Sequence, residues 1–434
     1  MIKVLKFGGT SVGSAANMKK VAGIVRRERA RITVLSAMSG TTDSLVRISR
    51  AAASGDRNAI EEQLAMLTDK YTRCIEELLR ERKPQALARM NATFGLIRDE
   101  AAAFEEYVSE RKIIAQGELL TSAIFTAYLQ ETGLKAECLH SPDFMVKDSD
   151  EKVDTERIGR ALARVAGDDG TFFVAQGFIC SDSQGRIDNL GRGGSDYSAA
   201  LMGAAVEAAE VQIWTDIDGM HNNDPRFVEN TRPIRTMSFD EAAELAYFGA
   251  KILHPATIQP CKDHGIAVLL KNTMDPEAPG TTISNRDDDT KSFHAVAAKD
   301  GITVIRIHSA RMLMAYGFLR KVFEIFEQYR TPIDMITTSE VAVSLTVDND
   351  THIDEIVRDL SALGSIEIER GNSIVCVVGR MEHGDAGLAA RVFECVRGVP
   401  IKMISYGASH RSLAMLIDTE HKKRTLQCLN DGLF

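Results

Sequence analysis

The sequence predicts an α/β protein. A mainly parallel sheet sandwiched by helices fills the N-terminal two-thirds, and two small ferredoxin-like βαββαβ modules follow. Three observations carry that reading. Short apolar runs alternate with stretches of helical period up to about residue 280, the rhythm of parallel strands joined by crossover helices. Several of those runs end in glycine-rich turns, the end at which open α/β sheets bind ligands. From about residue 292 the rhythm becomes strand–helix–strand–strand–helix–strand, and that order then repeats.

Ile2–Phe7 is the first strand; Ser14 or Asn17 suits a helix start, and Asn17–Arg29 reads as helical. Ile32–Ser36 is the second strand. Residues 53–130 are rich in Ala, Glu, Leu and Arg, with apolar positions at helical spacing, and hold three or four helices. The charged face of Glu61–Arg82 reads as solvated surface. The alternation resumes at Lys135. Phe172–Ala175, Gln212–Thr215 and Ala267–Lys271 are strands, separated by helices at about 155–166, 196–209 and 239–248. Asp275–Gly280 is a turn-rich close, and the polar, acidic Ser284–Lys291 reads as a linker.

In the tail, Ile302–Ile307, Ile333–Thr337, Val341–Val347 and Ile366–Glu369 are strands, with helices at Phe318–Tyr329 and His352–Leu363. The second copy runs through Ile374–Val378, Ala386–Val396, Ile401–Tyr406, Leu413–Ile417 and Lys422–Leu429, and stops one strand short. His294–Ala298 supplies the missing strand, so the first copy is inserted in the second. The expected domains are residues 1–285, residues 302–370, and residues 292–299 together with 371–434.

Composition narrows the function. A chain of 434 residues exceeds one ordinary core. A net charge of −9, with no block of Lys and Arg, argues against nucleic acid as a partner. The seven cysteines are scattered without zinc-ligand or C-x-x-C spacing, which fits reduced thiols in a cytoplasm and no dedicated metal site. No run of 18 apolar residues is present, so no membrane span is expected.

The chemistry-bearing residues cluster at strand-to-helix turns. Lys6 precedes Gly8-Gly9-Thr10-Ser11-Val12-Gly13: a cation, a turn without Cβ atoms and a helix start, which together suit a phosphate. The lysine precedes the glycines, so this is not a P-loop. Gly191-Arg192-Gly193-Gly194-Ser195-Asp196 flanks an arginine fork with glycines and opens a helix near Asp196. Asp196 reads as a helix cap, as a partner that orients Lys6, or as an indirect holder of Mg2+. Trp214-Thr215-Asp216-Ile217-Asp218-Gly219 ends a strand in a hydroxyl and carboxylates, suited to ribose and base or to a plain β-turn. Asp224-Pro225-Arg226 follows. Phe248-Gly249-Ala250-Lys251-Ile252-Leu253-His254-Pro255 offers Lys251 as a nucleotide-phosphate cation, with His254 a packing or turn residue. Gln116-Gly117-Glu118 reads as a helix start where Glu118 grips an ammonium, and Ser39–Asp43 as a hydroxyl-rich loop. Together these suit phosphoryl transfer, where positioning and charge neutralisation do most of the catalysis.

Six of these motifs, in the same order, resemble the aspartate kinases within the amino acid kinase family, and the tail resembles their paired, interleaved ACT domains. The resemblance covers essentially the whole chain and implies a monofunctional form. It implies an amino acid kinase-like catalytic domain that uses ATP and Mg2+ to phosphorylate the side-chain carboxylate of L-aspartate, the first step toward lysine, threonine and methionine. On that pattern Lys6, aided by Gly8 and Gly9 backbone donors, contacts the transferring phosphoryl group. Asp196 organises the site and Ser195 contacts substrate or phosphate. Arg192 pairs with a substrate carboxylate, Glu118 with the substrate ammonium, and Thr42 lines that pocket. Lys6, Thr215, Asp216, Arg226 and Lys251 hold the nucleotide. Mg2+ bridges phosphate oxygens largely without dedicated protein ligands.

Two departures stand out: His221 where several relatives have tyrosine, and Asp43 where asparagine is frequent. The resemblance also implies feedback inhibition by an amino acid, with lysine expected. The effector would bind at Met312, Gly317, Phe318, Leu319, Ile333, Asp334, Thr338 and Ser339, with Glu340 alongside, between ACT domains of a homodimer. Phe318, Leu319 and Ile333 equally suit the module's core. Ala315 replaces a serine common in lysine-inhibited relatives. Two other readings compete: a sister kinase acting on glutamate, acetylglutamate or a nucleotide, and a non-catalytic amino-acid sensor built on the tail.

Overall fold

The computed structural model describes Met1 to Phe434 apart from residues 168–169, 250–252, 254, 287–291, 310–311, 313–315 and 382–385. It divides into two compact units. The first comprises Met1–Met220, Arg235–Phe239 and Leu253–Asp287, and the second His221–Ile234, Asp240–Ile252 and Asp288–Phe434.

The first unit contains β1 (Lys3–Phe7), β2 (Ile32–Leu35), β3 (Ala136–Cys138), β4 (Phe172–Gln176), β5 (Ile179–Ser181), β6 (Ile187–Asn189), β7 (Glu210–Thr215), β8 (Thr236–Ser238), β9 (Ala267–Asn272) and β10 (Thr281–Ser284). Eight of them form one sheet in the order β3-β4-β2-β1-β7-β9-β10-β8, and β5 and β6 form a separate hairpin. Every pair in the large sheet is parallel except β9 with β10. The central strands are apolar because both their faces are covered: Val4, Leu5, Phe7, Ile32, Val34 and Leu35 are all inaccessible to solvent. Lys6 lies opposite Val34 on one side and Ile213 on the other, near the C-terminal end of the middle strand.

The helices of this unit are α1 (Ala15–Glu28), α2 (Thr41–Ser54), α3 (Arg57–Leu78), α4 (Lys83–Ala102), α5 (Glu106–Glu131), α6 (Thr155–Leu162), α7 (Gly194–Ala205) and α9 (Pro255–Asp263); α8 (Phe239–Tyr247) lies almost wholly in the second unit. Of the two cap candidates Ser14 does the work, accepting from the Asn17 N–H, so α1 starts at Ala15. Helices α3 to α5 pack through Leu64, Leu67, Tyr71, Phe94, Ile97 and Phe125 into one core with the sheet. The short strands β3, β5, β6, β8 and β10 went unanticipated, being too brief to show a period. The expected linker therefore begins inside the sheet: Ser284 is the last residue of β10. Residues 287–291 of that segment lie outside the described residues.

In the second unit, β11 (Phe293–His308), β12 (Ile336–Thr338), β13 (Ala342–Val347), β14 (Ser365–Gly379), β15 (Met403–Tyr406) and β16 (Ser412–Asp418) form an antiparallel sheet in the order β12-β13-β11-β14-β16-β15. Helices α10 (Phe318–Gln328), α11 (Ile353–Leu360), α12 (Ala386–Cys395) and α13 (Lys422–Leu433) belong to it as well. The separate strands His294–Ala298 and Ile302–Ile307 prove to be one strand of 16 residues, and Ile366–Glu369 and Ile374–Val378 one of 15. Register shifts between Lys299 and Val304 divide the long pair. Phe293–Lys299 pairs with Ile374–Gly379, and Ile302–His308 with Ser365–Asn372. A bulge at Lys299-Asp300-Gly301, where Gly301 has φ 76°, stands where the sequence reading left a break between two strands. Each half has its own apolar cluster. One holds Ile305, Val322, Phe326 and Ile356, and the other Val377, Val392, Leu413 and Leu426. Among the described residues no helix is long and apolar enough to cross a membrane.

Candidate active site

Lys6 needs a partner because its side chain is only 12% exposed, and Asp196 supplies it: Nζ lies 2.6 Å from Oδ1. Asp196 sits in the first turn of α7, which opens after Gly193 in the left-handed region, φ 72°. The glycines after β1 serve proximity. A Cβ on Gly9 would come within 2.8 Å of the Ala37 carbonyl oxygen, and one on Gly8 would stand 3.8 Å from Lys6 Nζ. The expectation that both backbones donate to an anion needs correction at Gly8. Its N–H extends the strand pairing by donating to the Trp214 carbonyl at 3.2 Å.

Ser195 lies beside Asp196 and accepts from Ser36 Oγ at 3.0 Å. Gly177 makes room for it, since a Cβ there would sit 2.7 Å from Ser195 Oγ. Arg192 stands exposed on the Gly191–Gly193 turn. That turn follows the β5–β6 hairpin, which is anchored through buried Asp188 to Lys147 (2.7 Å) and to Arg111 of α5. Burial works against ionised Asp188, but these two cations hold its carboxyl below the usual range.

Glu118 is the opposite case. Gln116-Gly117-Glu118 lies in the middle of α5 rather than at its start. Gly117 is there for packing, because a Cβ would come within 2.8 Å of Ala37 Cβ and 3.2 Å of Thr41 Cγ2. That contact brings the end of β2 onto α5, and the Ala37 N–H donates to Glu118 Oε1 at 3.1 Å. Oε2 is buried with no hydrogen-bond partner. Among the described residues no cation pairs with this carboxylate. Burial pushes it up to about 7, against the smaller opposing pull of the Ala37 N–H.

The Ser39–Asp43 loop also needs correction: Thr41, Thr42 and Asp43 form the first turn of α2, entered through Gly40 at φ 75°. Thr42 is half-buried and Asp43 is exposed. The turn is fastened on several sides. Ser39 N–H donates to the Gly9 carbonyl at 3.1 Å, and Met38 N–H to Thr121 Oγ1 at 3.2 Å. Residues 36–39 thus join the Lys6 turn, Ser195 and Glu118 in one contact network. The sequence offered no signal for Ser36, the Ala37 N–H, Lys70, Tyr71 or Thr121, whose importance comes from tertiary contact alone.

The expected nucleotide residues divide. Thr215 ends β7, with its hydroxyl donating to Asp216 Oδ1 at 3.0 Å, and Asp216 is exposed. Arg226 belongs to the second unit, and its guanidinium forks onto Asp224 at 2.6 and 2.9 Å. His221 bonds Thr231 at 2.9 Å. Lys251 and His254 lie outside the described residues.

Among the expected effector residues, Met312 and Ile333 are half-buried, and Thr338, Ser339 and Glu340 are exposed around the β12–β13 turn. Gly317 caps α10 with φ 77°. Phe318 belongs to the module core, while Leu319 is 36% exposed. Asp334 is already engaged: Lys299 Nζ at 2.7 Å and Tyr247 Oη at 2.9 Å both reach Oδ1. Ala315 lies outside the described residues.

Comparison with known proteins fits this geometry. Residues 1–272 match the amino acid kinase family model, and residues 375–433 match an ACT domain model. The chain is 35% identical to lysine-sensitive aspartokinase 3 of Escherichia coli K12, covering 100% of this chain and 99% of that protein. It is 34% identical to chloroplastic aspartokinase 1 of Arabidopsis thaliana, covering 99% of this chain and 80% of that one. Among solved structures it resembles E. coli aspartokinase III in complex with aspartate and ADP in the R-state. That match has a TM-score of 0.87 at 33% identity over 100% of both chains. The T-state of that enzyme with lysine and aspartate gives 0.83, also at 33% identity, over 100% of this chain and 99% of that one.

Proposed function

The chain belongs to the aspartokinases of the amino acid kinase family, and on that footing we propose how its residues phosphorylate aspartate with ATP. The observation that carries the reading is Glu118: a buried carboxylate on α5 with one oxygen unpartnered, its other oxygen bonded to the turn that also contacts the Lys6 and Ser195 segments. Such a group fits the ammonium of an amino-acid substrate. Arg192 takes a substrate carboxylate in a two-point contact, Thr42 lines the pocket, and Ser195 contacts substrate or phosphate.

The side-chain carboxylate of aspartate is ionised at neutral pH and needs no general base. Its oxygen forms a bond to the γ-phosphorus as the bond to the bridging oxygen breaks, and that electron pair leaves on ADP. Lys6 and the Gly9 N–H meet the charge on the migrating group, and Asp196 keeps the ammonium aimed. Thr215, Asp216, Arg226 and Lys251 hold the nucleotide. Mg2+, when bound with ATP, neutralises phosphate oxygens. Asp196, the acid beside Lys6, would help hold it indirectly, in keeping with a metal bound mainly by phosphates.

The product, 4-phospho-L-aspartate, opens lysine, threonine and methionine synthesis. The tail binds an amino-acid effector, lysine by likeness to the lysine-sensitive relative, through the residues from Met312 to Ser339 named above. The working domains are residues 1–285, 302–370, and 292–299 with 371–434; the protein is a cytoplasmic homodimer or larger assembly joined through the tail. The test is trapping of an acyl phosphate as hydroxamate from Mg-ATP with aspartate, glutamate or acetylglutamate, with and without lysine and threonine. Hydroxamate from aspartate, suppressed by lysine, is expected. Turnover of glutamate in preference contradicts the substrate. Hydroxamate from none of the acids favours a sensor, and suppression by threonine alone contradicts the effector.

A further inference from the structure

We propose that Lys70 and Tyr71, neighbours on α3, are positioning residues for the substrate: they start and carry a one-way chain of hydrogen bonds that fastens the 36–42 turn to α5 beside Glu118. The inference rests on the reading of Glu118 as receptor of the aspartate ammonium.

The direction of the chain follows from which groups can donate. Lys70 Nζ can only donate, and it reaches the Ser39 carbonyl and Thr41 Oγ1, the latter at 3.4 Å. Thr41 Oγ1 lies 3.2 Å from Tyr71 Oη, which lies 3.2 Å from Thr121 Oγ1. The Thr121 hydroxyl donates to the Gly117 carbonyl at 2.8 Å, one turn back on α5. That proton is therefore committed, so Tyr71 donates to Thr121 and Thr41 donates to Tyr71. The order runs from ammonium to Thr41, Tyr71, Thr121 and the Gly117 carbonyl without a reversal, an arrangement in which each bond strengthens the next. Thr41, Tyr71 and Thr121 are buried, with Tyr71 and Thr121 fully shielded from solvent. An apolar contact in the same place would hold the helices together without choosing this arrangement of the turn.

The chain ends where the site begins. Thr121 Oγ1 also accepts the Met38 N–H, the next residue's N–H after the one that binds Glu118. Ser39, whose carbonyl Lys70 grips, holds Gly9 from the other side. Loss of the chain therefore loosens the turn where Glu118, Thr42 and the phosphate turn are set against one another, and the deficit falls on aspartate before it falls on ATP.

The experiment compares Lys70→Met, Tyr71→Phe and Lys70→Arg in the full chain by amide hydrogen exchange without ligand and by steady-state kinetics. Lys70→Met keeps the length of a partly exposed side chain, so it remains informative where Tyr71→Phe folds poorly. In both removing variants the Met38 amide is expected to exchange about ten-fold faster, and the KM for aspartate to rise by about ten-fold. KM for ATP and kcat change less, and Lys70→Arg restores most of the loss. Unchanged exchange overturns the inference whatever acid the enzyme consumes. Faster exchange with an unchanged KM for aspartate reduces the chain to a structural fastening and also overturns it. Should the wild-type enzyme consume glutamate instead, the substrate reading fails and the exchange result alone decides the inference.

Discussion

Two buried acids, one in each unit, differ in their partners. In the first, Glu118 keeps one oxygen unpartnered and has no cation beside it among the described residues, and burial raises it to about 7. In the second, Asp334, 1% exposed in its side chain, holds Lys299 at 2.7 Å and is shared with Tyr247. Asp188, with Lys147 and Arg111, follows the second pattern inside the first unit. The contrast separates acids that complete the fold from one that, on the proposed reading, receives a ligand. A charge taken out of water costs several kcal/mol unless paired, so an unpaired buried carboxyl is pushed toward its neutral form until a cation meets it. It also bears on regulation. An effector that uses Asp334 must either share it with Lys299 through Oδ2, which has no hydrogen bond of its own, or displace Lys299.

The largest expected effect concerns the paired acid of the active site. Lys6→Met should lower turnover by about 10²–10³-fold, far more than stranding Asp196 lowers the thermal midpoint. Coupled ADP release beside a circular dichroism melt measures both, and a parallel loss would make Lys6 structural. Next, Lys299→Met strands Asp334 and should cost the second unit about 3–5 kcal/mol in denaturant unfolding. Asp334→Asn added to it should recover much of that loss, and no recovery would break the comparison.

Glu118→Gln should act with the opposite sign. Glu118 binds its proton more tightly folded than unfolded, so its favourable contribution is complete below about pH 4.5 and is lost as pH rises through about 7. The variant should flatten that slope and stabilise the ligand-free enzyme at pH 8 by up to about 3 kcal/mol while weakening aspartate binding. Last, Asp43→Asn on the exposed first turn of α2 should leave the KM for aspartate within about two-fold, since exposed charges interact weakly.

Much of this was legible in the chain. The central strands announce themselves because strands covered on both faces must be apolar throughout, and the glycine turns mark β1 and α7. The repeated order of the tail marked the strand segments that pair as Phe293–Lys299 with Ile374–Gly379 and Ile302–His308 with Ser365–Asn372. What failed, failed for tertiary reasons. Gly117 looked like a helix start, yet it sits mid-helix because Ala37 packs against it. Lys299-Asp300-Gly301 read as a break between two strands, because a bulge and a turn use the same residues. Thr41–Asp43 looked like a loop because hydroxyl residues also favour helix starts. Ser36, Lys70, Tyr71 and Thr121 carried no local signal, since what matters about each is a partner far away in the chain.

The most direct test of the waiting acid is calorimetry of aspartate binding in buffers of different ionisation heat. If Glu118 receives the substrate ammonium, binding pulls it down from about 7 and releases close to one proton near pH 6, few near pH 8, and none at either pH in Glu118→Gln. Binding near pH 6 with no proton released, or with a release that survives in Glu118→Gln, would contradict the account.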